Sequence, residues 1–432
     1  MKRGNFSSGD KVLVTTKSED ITGIFLPSQN ESTFVLKLDS GYNTSIKKSD
    51  IISIKLLQKH LPKSRGQMKA LDNKNLPTIS ILHCGGTVAA RVDYKTGAVS
   101  AQFSPEELIQ KFPELKNKAD IRSRLISNMF SGNMRFHDYN AIAREIEKEV
   151  KNTKGIIITH GTDTLHYTAA ALAFILENIP IPVILVGSQR SSDRPSTDAA
   201  LNLIHAARFI LEANFHGVAI CMHSSQNDNE SYILPACKSR KLHTSRRDAF
   251  KPVNADPIAI IGKEITMLEK QQQSKEGFSI KQIKESIKVG IVKIHPNFYS
   301  SQLDPYKKFD ALVLEGTGLG HAPIEKTSPK SQENLKILGA IKALAKKMPV
   351  IMTSQCIFGR TNLNIYSYGR KLKEIGVIND NSDISSETAL IKAAWLLSNH
   401  KKDFYKLWSQ NLRGEFNQRI LPSHYLNEKE VK

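Results

Sequence analysis

Threonine side chains follow two apolar segments of the chain, and their types and spacing could support chemistry. Thr87 follows the segment ISILHCGG, and Thr162 and Asp163 follow the segment GIIITHG. Both segments are rich in β-branched residues and stop at glycine, which is the pattern of a buried strand that ends in a loop. Because ligands in open α/β sheets bind at the carboxyl ends of strands, the two loops are predicted to form one site.

The chemistry that such loops could support is nucleophilic catalysis by threonine. A threonine hydroxyl attacks only when a base removes its proton and hydrogen-bond donors stabilise the oxyanion. Gly86, next to Thr87, would let the backbone approach a ligand closely. The base is expected to be Lys251, in the segment DAFKPVN, since a desolvated amine beside a hydroxyl can take up a proton. The spacing alone also fits ordinary glycine–threonine loops at strand ends.

The elements that must position these residues change in texture along the chain. The first part has short, alternating, β-branched segments separated by turn residues, which is typical of a small SH3-like β-barrel. From residue 77 the sequence alternates strand-like and helical segments, which predicts an α/β fold with two doubly wound parallel sheets. The predicted units are a β-barrel domain (1–58), a basic linker (59–76), an α/β domain with the catalytic threonines (77–268), a second α/β domain (280–400) and a C-terminal extension (401–432).

Composition restricts the classes of function and location. The 432 residues carry 61 Lys+Arg against 42 Asp+Glu, a formal net charge of +19. Such an excess favours a polyanionic partner, although it is equally consistent with a charge that only maintains solubility. Four widely spaced cysteines, without a C-x-x-C pair, predict a reducing cytoplasm rather than a disulfide framework. The apolar segments are too short to span a bilayer, and the N-terminus lacks the apolar region of a secretory signal.

Four motifs in a fixed order carry a resemblance to a known family. They are GGTVAARVDYKTGAV (85–99), FSGNM (130–134), THGTDTLHYTAAAL (159–172) and DAFKPVN (248–254). With them, residues 77–400 resemble the L-asparaginase/glutaminase family of amidohydrolases. The resemblance implies that Thr87 attacks a side-chain amide, ammonia leaves, and water hydrolyses the resulting ester. It also implies that Thr162, Asp163 and Lys251 form the group that moves protons.

The same resemblance implies how the substrate is held. Tyr94 would lie on the mobile loop that closes over the site, and Ser131 and Asp163 would hold the amino-acid head group. Gly86 would contact the substrate through its backbone. The chain departs from the family pattern before the nucleophile, where His83 and Cys84 replace small or apolar residues. Adjacent strand residues point to opposite faces, so Cys84 is expected to be structural rather than a nucleophile served by His83.

A narrower resemblance covers essentially the whole chain. The N-terminal segments GDKVLV, GIFLPSQ and FVLKLDSGYN, and the later segments VLEGTGLGHAP and TSQCIFGRTNLNIYSYGRKL, are similar to the D subunits of archaeal glutamyl-tRNA(Gln) amidotransferases. This implies a glutaminase that supplies ammonia to the E subunit of the amidotransferase, which would use ATP and Mg to convert Glu-tRNA(Gln) to Gln-tRNA(Gln). It further implies a homodimer within a heterotetramer, with no cofactor in this chain.

Two alternatives to this hypothesis are open, one of the same class and one of a different class. A stand-alone cytoplasmic L-asparaginase/glutaminase would use the same residues without a partner. A basic RNA-binding module would use the threonine loops only as scaffold. The segment EGTGLGH (315–321) resembles a dinucleotide loop, but its glycine spacing favours a tight turn. No P-loop motif occurs, and the histidines show no metal-ligand spacing, so no metal site is predicted.

Overall fold

The computed structural model describes residues 6–7, 9–26, 28, 32–38, 43–59, 76–86, 90–92, 99–101, 118–191, 196–269 and 276–425. Thr87, Tyr94 and nearly all of the predicted linker lie outside these residues. The α-helices are α1 (Phe136–Glu149), α2 (Leu165–Ile175), α3 (Ala199–Glu212), α4 (Gln332–Ala345), α5 (Ser367–Glu374), α6 (Ser386–Asn399) and α7 (Phe404–Trp408). The strands are β1 (Lys11–Thr16), β2 (Asp20–Leu26), β3 (Thr33–Lys37), β4 (Asn43–Lys47), β5 (Ile51–Gln58), β6 (Thr78–His83), β7 (Ala90–Val92), β8 (Val99–Ala101), β9 (Asp120–Leu125), β10 (Gly155–Thr159), β11 (Leu176–Glu177), β12 (Pro182–Val186), β13 (Gly217–His223), β14 (Ser231–Pro235), β15 (Ser239–Lys241), β16 (Phe250–Pro252), β17 (Ala259–Ile261), β18 (Ile265–Met267), β19 (Ser279–Ile280), β20 (Val289–Lys293), β21 (Ala311–Gly316), β22 (Val350–Ser354) and β23 (Val377–Ile378).

The N-terminal strands form a separate small sheet. Five antiparallel strands lie in the order β4-β3-β2-β1-β5. Alternate residues of β1 point inward, so that Val12 and Val14 are fully buried with Leu36 of β3. The rings of Phe25 and Phe34 stack across β2 and β3 at 4.6 Å. The prediction of a small N-terminal β-domain is therefore confirmed as a five-stranded antiparallel sheet.

The catalytic threonines are predicted to lie on the largest sheet, which has the strand order β18-β17-β14-β13-β12-β10-β6-β9. Strands β9, β6, β10, β12 and β13 are parallel, and their alternating side chains divide between two cores. Ile156 and Ile158 pack toward α1 and α2, whereas Ile157 packs toward α3 on the opposite face. Helices on both faces of a parallel sheet are the doubly wound arrangement that the sequence predicts.

This sheet is mixed, because the predicted doubly wound parallel sheet carries antiparallel strands at one edge. Strands β14, β17 and β18 each run antiparallel to the neighbouring strand. The reason is the short connection of residues 224–230 between β13 and β14, because a parallel pair needs a crossover of a dozen residues or more. The antiparallel edge carries the chain into the segment that holds β15 and β16.

The C-terminal domain has its own parallel sheet, in the order β20-β21-β22-β23. Helices α4 and α5 cover one face of it, and α6 covers the other face. Helix α6 also packs on α2 of the first domain, where the rings of Trp395 and Phe174 lie 5.5 Å apart. The two α/β domains therefore share one continuous core, which brings the start of α6 close to β15.

Two further predictions concern the C-terminal half. The segment EGTGLGH forms a tight turn, in which Thr317 and His321 pair in an isolated bridge just after β21. The C-terminal extension packs on the body of the protein through a buried ion pair, in which Lys392 Nζ of α6 lies 2.6 Å from Glu415 Oε1. The domain boundaries given above remain predictions.

Candidate active site

The site is built where the loops after β6 and β10 touch at the carboxyl edge of the main sheet. His83 and Thr159, the last residues of these strands, are register partners in the parallel pair. Gly86 then adopts a φ of +84°, and a β-carbon there would lie 2.5 Å from the backbone nitrogen of Gly161. Only glycine fits such a close approach of two backbones. The two motif loops therefore meet at Gly86, as their positions in the sequence predict.

Thr162 and Asp163 follow this contact, and both are hydrogen bonded to one lysine. The Nζ atom of Lys241 lies 2.8 Å from Thr162 Oγ1 and 2.9 Å from Asp163 Oδ1. The side chain of Lys241 is 11% exposed, whereas that of Asp163 is 55% exposed. A largely desolvated amine is thus held between a hydroxyl and a carboxylate that faces solvent. This is the arrangement that proton transfer to or from a threonine requires.

Lys251, the lysine predicted from the sequence to belong to this group, does not occupy that position. Its Nζ atom donates to the backbone oxygen of Ser224 at 2.8 Å and lies 3.8 Å from Asp248 Oδ2. The cause is the pairing of β15 with β16, here called the β15–β16 ribbon, in which Arg240 is opposite Lys251 and Lys241 is opposite Phe250. Directly opposed residues share a face and adjacent residues do not, so Lys251 and Lys241 point to opposite faces.

The lysine that contacts Thr162 was not identified from the sequence. Lys241 lies in the segment KSRKLH, before the DAFKPVN motif that favoured Lys251. Both lysines belong to short strands, and no local pattern distinguishes the face of the ribbon that reaches Thr162. The antiparallel pairing of the two strands would have been the informative signal, because it assigns opposite faces to the two lysines.

Ser131, predicted to hold the substrate head group, lies beside the same loop. It begins a short 3-10 turn and is buried, and its backbone oxygen accepts a hydrogen bond from Thr164 Oγ1 at 2.7 Å. A β-carbon at Gly161 would lie 2.8 Å from Ser131 Oγ. The structure therefore brings together Gly86, Ser131, Thr162 and Asp163 out of the seven predicted site residues, while Thr87 and Tyr94 lie outside the described residues.

His83 and Cys84, which depart from the family pattern, are buried in structural roles. His83 Nδ1 lies 2.8 Å from Thr159 Oγ1, and its Nε2 lies 2.7 Å from Ser123 Oγ. Burial lowers the pKa of His83 to about 4 and raises the pKa of the Cys84 thiol to about 12. A thiol in that state is a poor nucleophile at neutral pH. The expectation that Cys84 is structural agrees with this burial.

The loop after β10 is stabilised by the hydrogen bonds of a neutral histidine, His160. His160 Nδ1 lies 2.7 Å from the backbone oxygen of Gly161, and Thr168 Oγ1 of α2 lies 2.8 Å from His160 Nε2. A carbonyl can only accept, so Nδ1 carries the proton and Nε2 accepts from the threonine hydroxyl. Burial lowers the pKa of His160 to about 4, which keeps the ring neutral. The ring thus joins the start of α2 to the loop that presents Thr162.

The neighbouring strand end supports Thr162 from the other side. A β-carbon at Gly187, just after β12, would lie 2.8 Å from Thr162 Cγ2. Asp198, just before α3, is fully buried, and its carboxylate accepts from the hydroxyl of Ser188 and the amides of Gln189 and Arg190. Asp198 therefore holds residues 188–190 in place through three hydrogen bonds.

The residues that the structure describes include neither a metal-ligand cluster nor a membrane-spanning helix. Within the described ranges, no group of three or more His, Cys, Asp or Glu side chains could hold a metal ion. No helix in the part of the chain that the structure describes has the length and apolar character needed to cross a membrane.

Family models match three consecutive parts of the chain. Residues 6–57 match the GatD N-terminal domain, residues 78–273 match the N-terminal asparaginase domain, and residues 288–406 match the glutaminase/asparaginase C-terminal domain. The L-asparaginase of Thermococcus kodakarensis superposes with a TM-score of 0.69 at 29% identity, covering 79% of this chain and 100% of that chain. L-asparaginase I of Vibrio cholerae superposes with a TM-score of 0.68 at 26% identity, covering 79% of this chain and 99% of that one.

Curated relatives extend the similarity over the whole chain. The D subunit of glutamyl-tRNA(Gln) amidotransferase from Methanococcus vannielii is 43% identical over 95% of this chain and 98% of its own length. The protein of the same name from Pyrococcus furiosus is 39% identical over 99% of this chain and 98% of its own length. With an asparaginase-like α/β fold and a GatD N-terminal domain in front of it, the chain belongs to the family of glutamyl-tRNA(Gln) amidotransferase D subunits.

Proposed function

We propose that the chain is the glutaminase component of a tRNA-dependent amidotransferase, which releases ammonia from glutamine for a partner protein. The observation that carries the proposal is the contact of Lys241 Nζ with Thr162 Oγ1 at 2.8 Å and with Asp163 Oδ1 at 2.9 Å. It lies at the carboxyl edge of the parallel sheet, where α/β enzymes bind their ligands. Membership in the family of amidotransferase D subunits supports the same function.

Thr87 is proposed as the nucleophile, on the basis of its place in the GGTVAARVDY motif. Its Oγ attacks the amide carbon of glutamine, and its proton passes through Thr162 and Lys241 to the amide nitrogen, which leaves as ammonia. Water then attacks the threonine ester, the ester bond to Oγ breaks, and glutamate is released as Oγ recovers its proton. Lys241 takes the role that the sequence motif suggested for Lys251, because its amine reaches Thr162.

Substrate binding is proposed for residues around this group. The carboxylate of Asp163 is 55% exposed, and its second oxygen can accept from the α-ammonium group of glutamine. Ser131 and the backbone of Gly86 lie on adjacent loops and would contact the head group and the amide. Tyr94 would close the site from its loop.

The partner and the energy source are proposed to lie outside this chain. The E subunit of the amidotransferase would bind ATP and Mg, activate Glu-tRNA(Gln) and receive the ammonia, within a heterotetramer that contains a homodimer of this chain. The formal net charge of +19 suits a complex that carries tRNA. A cytoplasmic location is the corresponding proposal, and it agrees with the four free cysteines.

A stand-alone L-asparaginase/glutaminase is the second candidate. It is favoured by one specific observation: the α/β part of this chain matches the full length of the T. kodakarensis L-asparaginase. Such an enzyme would hydrolyse its amide without a partner and without tRNA. The two candidates thus differ in what controls ammonia release, and not in the residues that perform it.

The test is ammonia release from glutamine by the full chain, alone and with the E subunit, Glu-tRNA(Gln), ATP and Mg. We expect low activity that rises sharply in the complete mixture and is abolished in Thr87→Ala. Thr327→Ala, at an exposed threonine of the C-terminal domain, serves as the matched control and should keep full activity. High activity that is indifferent to tRNA would favour the stand-alone enzyme, and activity retained in Thr87→Ala would contradict the threonine nucleophile.

A further inference from the structure

We infer that Glu387 of α6 and Arg240 of β15 are positioning residues, which hold the ribbon so that Lys241 reaches Thr162. The inference rests on the proposed function, since it assumes that the amine of Lys241 takes part in the reaction. It assigns the C-terminal domain a role in catalysis: the domain fixes the position of a lysine that belongs to the first α/β domain.

The β15–β16 ribbon needs such support because it is short. Each of its strands has three residues, and a two-stranded ribbon of this length is not stable by itself in water. The amine of Lys241 lies at the end of a long, flexible side chain, so a small shift of β15 moves it away from Thr162. The position of the amine is therefore set by whatever fixes β15.

Three contacts from residues at or just before the start of α6 hold β15 and the two residues that precede it. Thr388 Oγ1 donates to the backbone oxygen of Cys237 at 3.0 Å. Lys238 Nζ lies 2.6 Å from Asp383 Oδ2, with both side chains almost fully buried. Arg240 Nη2 lies 2.8 Å from Glu387 Oε1. The last contact involves the residue next to Lys241 and is therefore the one most directly linked to its position.

Helix α6 is a rigid support for these contacts. It packs on the C-terminal sheet and on α2 at the same time, and most of its residues are buried. Helix α2 begins at Leu165, immediately after the Thr162–Asp163 loop. Helix α6 thus contacts both the ribbon that carries Lys241 and helix α2, which follows Thr162. It is therefore a common support for the two residues that form this hydrogen bond.

The other face of the ribbon is tightly packed as well. Phe250, opposite Lys241, is fully buried, and its ring meets that of His166 edge-on at 6.3 Å. Burial lowers the pKa of His166 to about 4, and the nearby charges of Arg240 and Lys241 contribute to the same shift. The His166 ring is therefore neutral, and among the described residues Glu387 is the carboxylate that the structure pairs with Arg240.

The test compares Glu387→Gln and Arg240→Gln, each in the full chain with the E subunit, Glu-tRNA(Gln) and ATP. We expect kcat for ammonia release to fall about 10-fold in each variant with the KM for glutamine nearly unchanged, because a displacement of about 1 Å can cost up to 100-fold. The double variant should lose no more than either single variant, since both remove one contact. Glu325→Gln, which breaks the surface pair with Lys371 at 2.7 Å, is the matched control and should keep its kcat.

A second measurement separates positioning from general loosening. Brief labelling with an amine-reactive ester, read by mass spectrometry, should modify Lys241 several-fold faster in Glu387→Gln than in the unchanged chain, while the fully buried Lys392 of α6 stays unlabelled. Unchanged labelling of Lys241, or faster labelling of Lys392 in parallel, would overturn the inference. Lys241→Ala distinguishes the two levels: full activity in that variant refutes the proposed function, whereas loss of activity there with a normal kcat in Glu387→Gln refutes only the positioning role.

Discussion

The two faces of the β15–β16 ribbon present the same kind of side chain to very different surroundings. Lys241 and Lys251 are both lysines of the ribbon, and their side chains are 11% and 18% exposed. On one face, the amine of Lys241 meets a hydroxyl and a carboxylate at the carboxyl edge of the main sheet. On the other face, Lys251 donates to a backbone carbonyl, and Arg240 binds Glu387 of the C-terminal domain.

The surroundings of each lysine thus depend on the face of the ribbon that it occupies and not on the sequence motif around it. A carbonyl neighbour can only accept a hydrogen bond and offers no proton to move. A threonine hydroxyl with a carboxylate beside it offers both a reacting group and a charge partner. One face of the ribbon therefore has the groups that we propose for catalysis, and the other face has the ion pairs with the C-terminal domain.

Replacing the two lysines in turn tests most directly which face of the ribbon supplies the reacting amine. Lys241→Ala removes the amine that contacts Thr162, and kcat for ammonia release should fall by about 10²–10⁴-fold, the usual contribution of a positioned acid or base. Lys251→Ala removes a hydrogen bond to a carbonyl, and its kcat should fall by less than about 10-fold, because a typical hydrogen bond contributes only about 1 kcal/mol. Steady-state ammonia release by the full complex checks both, with circular dichroism to verify folding. Equal losses in the two variants would contradict the assignment of faces.

Breaking an ion pair that holds the ribbon in place should lower the free energy of unfolding. Lys238 and Asp383 form a buried ion pair between the domains, and burial lowers the pKa of Lys238 while the carboxylate of Asp383 opposes that shift. Asp383→Asn leaves the ammonium buried without its partner, which should reduce the free energy of unfolding by about 3–5 kcal/mol. Urea unfolding measures it. Glu325→Gln, at the more exposed pair with Lys371, should cost less than about 1 kcal/mol, and similar losses in both variants would contradict the larger contribution expected of the buried pair.

The two faces also mark the limit of what the sequence predicts. The strand ends at Gly86 and Thr162 follow from local patterns, since β-branched runs that stop at glycine are visible in a single sequence. The choice between Lys241 and Lys251 depends on the register of two three-residue strands, and short segments carry too little pattern to specify it. The antiparallel strands β14, β17 and β18 were missed for a related reason, because short buried strands look alike whatever their direction.

The contacts made by α6 could not be read from the sequence for another reason. Asp383 and Glu387 are separated from their partners Lys238 and Arg240 by more than 140 residues. The sequence indicates a helix near Glu387 but not which element that helix meets. Long-range packing, rather than local propensity, decides the partner of each charge at this interface.

The glycine contact between the two catalytic loops offers a test of the site that leaves both lysines in place. Gly86→Ala forces a non-glycine residue to a φ of +84° and places its β-carbon 2.5–2.7 Å from the backbone of His160 and Gly161. Strain at such positions costs about 1–3 kcal/mol, and here it should also lower kcat, because the loop that carries Thr162 is displaced. Urea unfolding and ammonia release give the two values.

Gly318→Ala is the matched control for that variant. Gly318 also has a positive φ, of +52°, but no atom lies within 4 Å of its added β-carbon. Its cost should be limited to the backbone strain of about 1–2 kcal/mol, with kcat unchanged. If Gly318→Ala lowered kcat as much as Gly86→Ala, the close approach of the two loops would not be what organises the site.

Acid should weaken the support beneath the catalytic loop through His160. Its folded pKa of about 4 lies below the ordinary value of 6.5, so the unfolded chain takes up a proton in this range and the folded chain does not. The stability that neutral His160 contributes is therefore present above pH 6.5 and is lost as the pH falls from 6.5 toward 4. Between about pH 6.5 and 5.5 this amounts to about 1 kcal/mol for one such histidine. Protonation would also turn Nε2 from an acceptor into a donor facing the Thr168 hydroxyl.

Unfolding in urea at about pH 6.5 and about pH 5.5 measures this effect, with His160→Gln compared against the unchanged chain. The variant should lose about 1 kcal/mol of the pH dependence, because glutamine has no proton to gain in this range. His137→Gln is the control, since the side chain of His137 is 52% exposed and lies on the surface of α1. An identical pH dependence in His160→Gln and the unchanged chain would mean that the loop that presents Thr162 is not held by a neutral imidazole. The support of the reacting groups would then have to come from the β15–β16 ribbon alone.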